Sequence, residues 1–230
     1  MKKLVALMSI ILAVAFITSC GSKDPKDLLL DEMIGAYGGL ENLKKLDSYT
    51  SVWAMEVKVR PQKGKVVTFV EQSGKLRVEL LYPNRLEKRV LNGAKGYRAY
   101  NNDPLTEVSG PKLDSMKLQM MRLYSPLTLK NKADIVVTEG EGVMYITLKE
   151  GALTSVYHVN ATTFRIEKVV GNFKMGPRDM EFQTEYSDFK KVDGVLMHHK
   201  ENKFAAGMNT AELFLKDVKL QAKHGEEVFN

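Results

Sequence analysis

Beyond Asp47 the chain reads with a period of two: Trp53, Met55, Val57 and Val59 alternate with Ala54, Glu56, Lys58 and Arg60. That is the pattern of a strand with one apolar and one wet face. Turn signals then recur at roughly 8–12-residue spacing, the rhythm of antiparallel strands joined by hairpins. They include Gly64, Ser73-Gly74, Pro83-Asn84, Asn92-Gly93, Gly140, Gly151, Asn160-Ala161, Asp193-Gly194 and Gly207. Leu76, Val78, Leu80 and Tyr82 form one apolar face between such turns, and Phe164, Ile166 and Val170 suggest another. Segments 178–190 and 195–205 exceed ordinary strand length and predict long, strongly curved strands.

Two stretches depart from this rhythm. Leu28, Leu29, Leu30, Met33, Ile34, Tyr37, Leu40, Leu43 and Leu46 recur at helical spacing. Gly38-Gly39 interrupts them, and two glycines cost about 2 kcal/mol relative to alanine inside a helix, so a bend or two helices are expected. Between residues 111 and 124, Leu113, Met116, Met120 and Leu123 predict a second helix, which Ser125-Pro126 closes. A single sheet of about ten strands has to curl or acquire a cover, and these helices are the covers at hand. A curled sheet under helices encloses an apolar hollow, the default place for a ligand; the alternative is a hollow filled by side chains. Methionines in the second helix repack readily around a chain-like guest.

The N-terminus carries Lys2 and Lys3, an apolar run over residues 4–17 too short to span a bilayer comfortably, and then Ile17-Thr18-Ser19-Cys20-Gly21 with the chain's sole cysteine. This resembles the lipobox of bacterial lipoproteins. It predicts a signal peptide over 1–19, lipid attachment at Cys20, a polar tether over 20–26 and one domain over 27–230. Because Gly21, not aspartate, follows the cysteine, the expected location is the periplasmic face of the outer membrane of a Gram-negative bacterium. Loss of residues 1–19 removes two lysines and no acid, so the net charge of +6 falls to +4.

No cysteine remains after Cys20 to form an internal disulfide, an iron–sulfur cluster or a thiolate zinc site. Lysines and arginines are interspersed with acids and no nucleic-acid motif occurs, which argues against a nucleic-acid partner. Nucleophile elbow, phosphate loop, dinucleotide fingerprint and HExxH motif are all missing, so no catalysis and no cofactor are expected. His198 and His199, adjacent in a strand, point to opposite faces and are read as part of a polar strand surface, with no metal site. Glu139 and Glu141 around Gly140 are read as solvated turn charges.

Several segments together resemble the Lol-type superfamily of outer-membrane lipoprotein-sorting carriers and receptors. Ala36-Tyr37-Gly38-Gly39-Leu40-Glu41-Asn42-Leu43 is similar to its opening helix with paired glycines. Tyr82-Pro83-Asn84-Arg85-Leu86-Glu87 and Asn92-Gly93-Ala94-Lys95-Gly96-Tyr97 resemble its strand-turn-strand signature. Tyr157-His158-Val159-Asn160-Ala161-Thr162-Thr163 resembles its turn, with Asn160 where aspartate is usual, and Tyr186-Ser187-Asp188-Phe189 with Val192-Asp193-Gly194-Val195 its late strand pair. His198-His199 departs from the pattern, standing where proline is common. These are signatures of a fold rather than of a task. The resemblance implies a mainly β protein with α elements: an incomplete antiparallel β-barrel, a half-barrel of about eleven strands closed by helices, whose interior binds acyl chains. Candidate acyl-chain contacts are Trp53, Met55, Val57, Leu76, Val78, Leu80, Met116 and Met120. The expected function is that of a lipid-anchored periplasmic protein binding acyl chains of lipoproteins or lipids and assisting their sorting to the outer membrane. Its partners would be acylated cargo and, through its anchor, the membrane. The rival is an envelope interaction or stress-sensing module on the same scaffold with a filled core.

Overall fold

The computed structural model describes residues 24–230. The predicted signal peptide, Cys20 and most of the tether lie outside the described residues. Helix α1 (Pro25–Ala36) starts where Asp24 accepts a hydrogen bond from the Lys26 amide, with Pro25 in the first turn. Gly38 and Gly39, both at positive φ, break it, and a short α2 (Leu40–Leu43) follows, running into a 3-10 turn over Lys44–Leu46.

Six strands then form a meander: β1 (Ser48–Val57), β2 (Gln62–Glu71), β3 (Lys75–Tyr82), β4 (Arg85–Asn92), β5 (Lys95–Tyr100) and β6 (Thr106–Val108). Helices α3 (Pro111–Met121) and α4 (Pro126–Lys130) separate it from a second meander. That comprises β7 (Ile135–Gly140), β8 (Val143–Glu150), β9 (Leu153–Asn160), β10 (Ile166–Met175), β11 (Arg178–Val192), β12 (Val195–Ala205) and β13 (Met208–Leu220). β13 pairs antiparallel with β1, so all 13 strands make one sheet with β6 and β7 at its free edges. The barrel is incomplete, as expected, but has more than eleven strands. Three-residue β6, for example, is too short to show an alternation in sequence.

Register shifts at Val52/Trp53, Ile166/Lys168 and Lys203/Phe204 add local bend and twist and help curl the sheet. The second of these overturns one expected face. Ile166 and Val169 are both buried, followed at period two by Phe173, whereas Val170 turns away from the core. Ser125-Pro126 likewise does more than close α3: the Ser125 hydroxyl accepts from the Thr128 amide and caps α4, whose first residue is Pro126.

Outside the half-barrel, residues 221–230 strap across β1 to β4. Arg77 donates to the Val228 carbonyl at 3.1 Å, Asn92 to that of Phe229 at 3.3 Å, and half-buried His224 sits against Ser48, Thr50 and Phe69. Inside, α3 lies against β4 and β5 on one limb and β9 and β10 on the other, while α1 packs on α4 and β7. No helix among the described residues is long and apolar enough to cross a membrane.

The break after α1 locks onto the β11–β12 hairpin. Gly38 has φ 112, and a Cβ there would sit 2.2 Å from the Gly194 carbonyl oxygen. Tyr37 accepts from the Leu196 amide through its carbonyl and from the Ile166 amide through its hydroxyl, both at 3.0 Å. Gly38→Ala is therefore expected to lower unfolding free energy by at least about 2 kcal/mol through strain and overlap. Urea denaturation reads this directly, and an unchanged midpoint would show that the helical segment is not docked on the hairpin.

Candidate functional site

Alternate residues of the central strands face inward and build a hollow. From β1 these are Tyr49, Ser51, Trp53, Met55 and Val57; Val66 and Thr68 of β2 and Val78 and Leu80 of β3 continue the wall. The second meander supplies Thr184, Met197, His198, Glu201, Lys203 and Leu213, and α3 provides the roof through Met116, Leu118 and Gln119, with Arg122 at its C-cap. The cavity measures about 550 Å3, inside the ~300–1,000 Å3 range of small-molecule sites.

Of the candidates read from the sequence, Trp53, Met55, Val57, Val78, Leu80 and Met116 come together around this hollow. Leu76 and Met120, each 2% exposed, pack in the core instead. The sequence reading missed the polar members. Thr68, Arg89, Arg98, Glu201 and Lys203 occupy inward positions of their strands, where a search for alternating apolar residues passes over polar ones. Arg122, just past the last turn of α3, gave no signal in periodicity.

Two glycines let the roof approach both limbs. A Cβ on Gly96 of β5 would lie 2.8 Å from Leu113 Cδ1, and one on Gly171 of β10 would lie 3.2 Å from Leu118 Cδ2. The roof's two ends are held differently. At its C-terminus the carbonyls of Met121, Arg122 and Leu123 accept hydrogen bonds from Tyr157, Tyr186 and Gln72 at 2.6, 3.3 and 2.9 Å. These satisfy acceptors that a helix end leaves open. Its N-cap is Gly110, with no side-chain hydrogen bond, and Pro111 and Lys112 are exposed. Hydrogen bonds thus pin the C-terminal end, while the N-terminal end is seated by packing such as that of Leu113 on Gly96.

Charge is concentrated at two points of the wall. On β4 and β5, Arg89 Nε and Arg98 Nη2 reach the same oxygen of buried Glu87 at 2.6 and 2.5 Å. Burial opposes ionisation of Glu87, but the two arginines outweigh it and hold the carboxyl below its usual range. On β12, Glu201 pairs with Lys203 and takes a 2.9 Å hydrogen bond from His198. Burial again opposes the charge, and Lys203 with His198 and Arg122 holds Glu201 well below the carboxylate range. The Lys203 amine is pushed down to about 8 by burial and then by Arg122. His198 stacks on Trp53 with ring centres 5.5 Å apart and lies 4.3 Å from the Tyr186 ring. His198 and Glu201, three apart, both face inward; nearby on the paired β11, Asp188 adopts φ 54. The surface reading of His198 is thereby corrected. Among the described residues no cluster of three or more His, Cys, Asp or Glu side chains could hold a metal ion.

No family model and no curated protein matches the sequence. Solved structures do match in shape. A LolA-superfamily protein from Nitrosomonas europaea superposes with TM-score 0.59 at 13% identity, over 89% of this chain and 97% of that one. A Vibrio parahaemolyticus domain described as outer membrane lipoprotein-sorting gives 0.57 at 12%, over 88% and 95%. The fold is that of the LolA superfamily. A DUF1329 family protein from Desulfovibrio piger also aligns, with TM-score 0.50 at 10% identity over 90% and 98% of the two chains. The LolA-like architecture is thus present with a wall of this chain's own residues.

Because the folded Lys203 value of about 8 lies below the unfolded one, about 10.4, the unfolded chain binds more protons between these limits. Stability contributed at this site therefore rises with pH across that window. The unfolding free energy of the wild type relative to Lys203→Met is expected to grow from pH 8 to 10. A difference independent of pH would contradict a desolvated amine.

Proposed function

We propose that this chain is a lipid-anchored, non-catalytic periplasmic protein that takes acyl chains of lipoproteins or lipids into its half-barrel and assists their sorting to the outer membrane. The observation that carries the reading is the open apolar cavity of about 550 Å3 between Trp53, Met55, Val57, Val78, Leu80 and Met116. The description of the Vibrio domain as lipoprotein-sorting is consistent with it.

Desolvation would supply the driving force, since apolar area leaving water contributes about 25 cal/mol per Å2. Entry and release would use the less restrained N-terminal end of α3, with Met116 adjusting to the guest. Acylation at Cys20 with palmitate-type chains would hold the domain at the membrane, where several chains tether far more firmly than one. The size of the hollow favours carriage over the rival scaffold with a filled core.

Native mass spectrometry of the chain extracted from bacterial envelopes tests the cavity: bound acyl lipid released on denaturation is expected. Empty protein that also fails to take up added lipid would refute carriage. For the anchor, Cys20→Ser is expected to lose metabolic palmitate labelling and leave the membrane fraction. Retention of both would refute lipidation at that residue.

A further inference from the structure

The apolar hollow carries more positive charge than a hydrocarbon site requires. Its lining includes Arg89, Arg98, Lys112, Arg122 and Lys203 but a single carboxylate, Glu201. Glu87, behind the wall, serves Arg89 and Arg98 together. Glu201 is occupied by His198 on one oxygen and Lys203 on the other. Arg122 is left over. It makes no ion pair among the described residues; Nη1 reaches the Thr184 hydroxyl at 3.3 Å, and Nε is buried without a partner. The Lys203 ammonium lies close enough to feel Arg122 as a like charge.

A half-buried guanidinium that shares the field of Glu201 but has no ion-pair partner of its own is costly to maintain, and its fork matches carboxylate and phosphate oxygens. Resting on the acyl-binding reading above, we propose that the cavity selects acyl lipids with an anionic head, bound by Arg122 and Lys203 while the tail lies along Trp53, Met55, Val57 and Val78. Thr184, which already touches Arg122, supplies a neighbouring hydroxyl. A neutral glyceryl head would leave both cations as they are.

Equilibrium dialysis of the full-length chain in low salt compares three labelled probes with the same tail: palmitate, hexadecanol and palmitoyl lysophosphatidic acid. At least one anionic probe is expected to bind about tenfold or more tighter than hexadecanol, the scale of one charge-assisted hydrogen bond. Palmitate leading identifies a carboxylate head, and the lysophospholipid leading a phosphate head. In Arg122→Gln and in Lys203→Gln the ratio of anionic to neutral affinity is expected to collapse toward one. Circular dichroism verifies folding, which the Tyr186 bond to residue 122 supports in the variant because it uses the main-chain carbonyl. Equal binding of all three probes, or a ratio that survives both substitutions, would overturn head-group selection and leave acyl binding standing. Binding of none would overturn acyl binding itself.

Discussion

Strands β1 and β13 run antiparallel from the pairing of Tyr49 with Leu220 to that of Val57 with Ala211. Without that ladder the chain would be two meanders, each with an uncovered apolar face. With it, β1 and its neighbours become the floor of one continuous sheet, and Trp53, Met55 and Val57 line up at the centre of the concave side. A sheet of this width curls, and three register irregularities add to the bend. The two free edges, β6 and β7, are connected by the segment that contains α3 and α4, so the roof is a consequence of the topology.

Roof and walls meet through complementary small and large residues. Gly96 and Gly171, one on each limb, accept Leu113 and Leu118, while the tyrosine hydroxyls of β9 and β11 bind the last carbonyls of α3. Tyr157 and Tyr186 are fully desolvated, which raises both phenols well above their ordinary range and keeps them as donors at any physiological pH. The pinned end of the helix is thus polar and buried; the other end is glycine-capped and seated by packing.

Much of this architecture could be read from the residues. Alternation around Trp53 and Leu76, hairpin signals such as Asn92-Gly93, and the Gly38-Gly39 break all appear where local chemistry requires them. What escaped was set by distant partners. The bulge at Ile166/Lys168 moves Val170 off the inner face, and the irregularity near Asp188 turns His198 inward, effects that depend on pairing with neighbouring strands. The charged part of the wall escaped for the same reason. Arg122 and Lys203 lie 81 positions apart in sequence, and only the curl of the sheet under α3 makes them neighbours. Leu76 and Met120 share the period of the lining residues but are buried away from this hollow, a placement that period alone does not distinguish.

Trp53 is the chain's single tryptophan and stands in the cavity wall, so its fluorescence reports on the hollow without any label. Titration with palmitate brominated at successive carbons tests the central claim. The account predicts saturable quenching of Trp53, strongest for bromines at one stretch of the tail and abolished by excess unbrominated palmitate. Emission unchanged at every bromine position would mean that the hydrocarbon never enters the half-barrel.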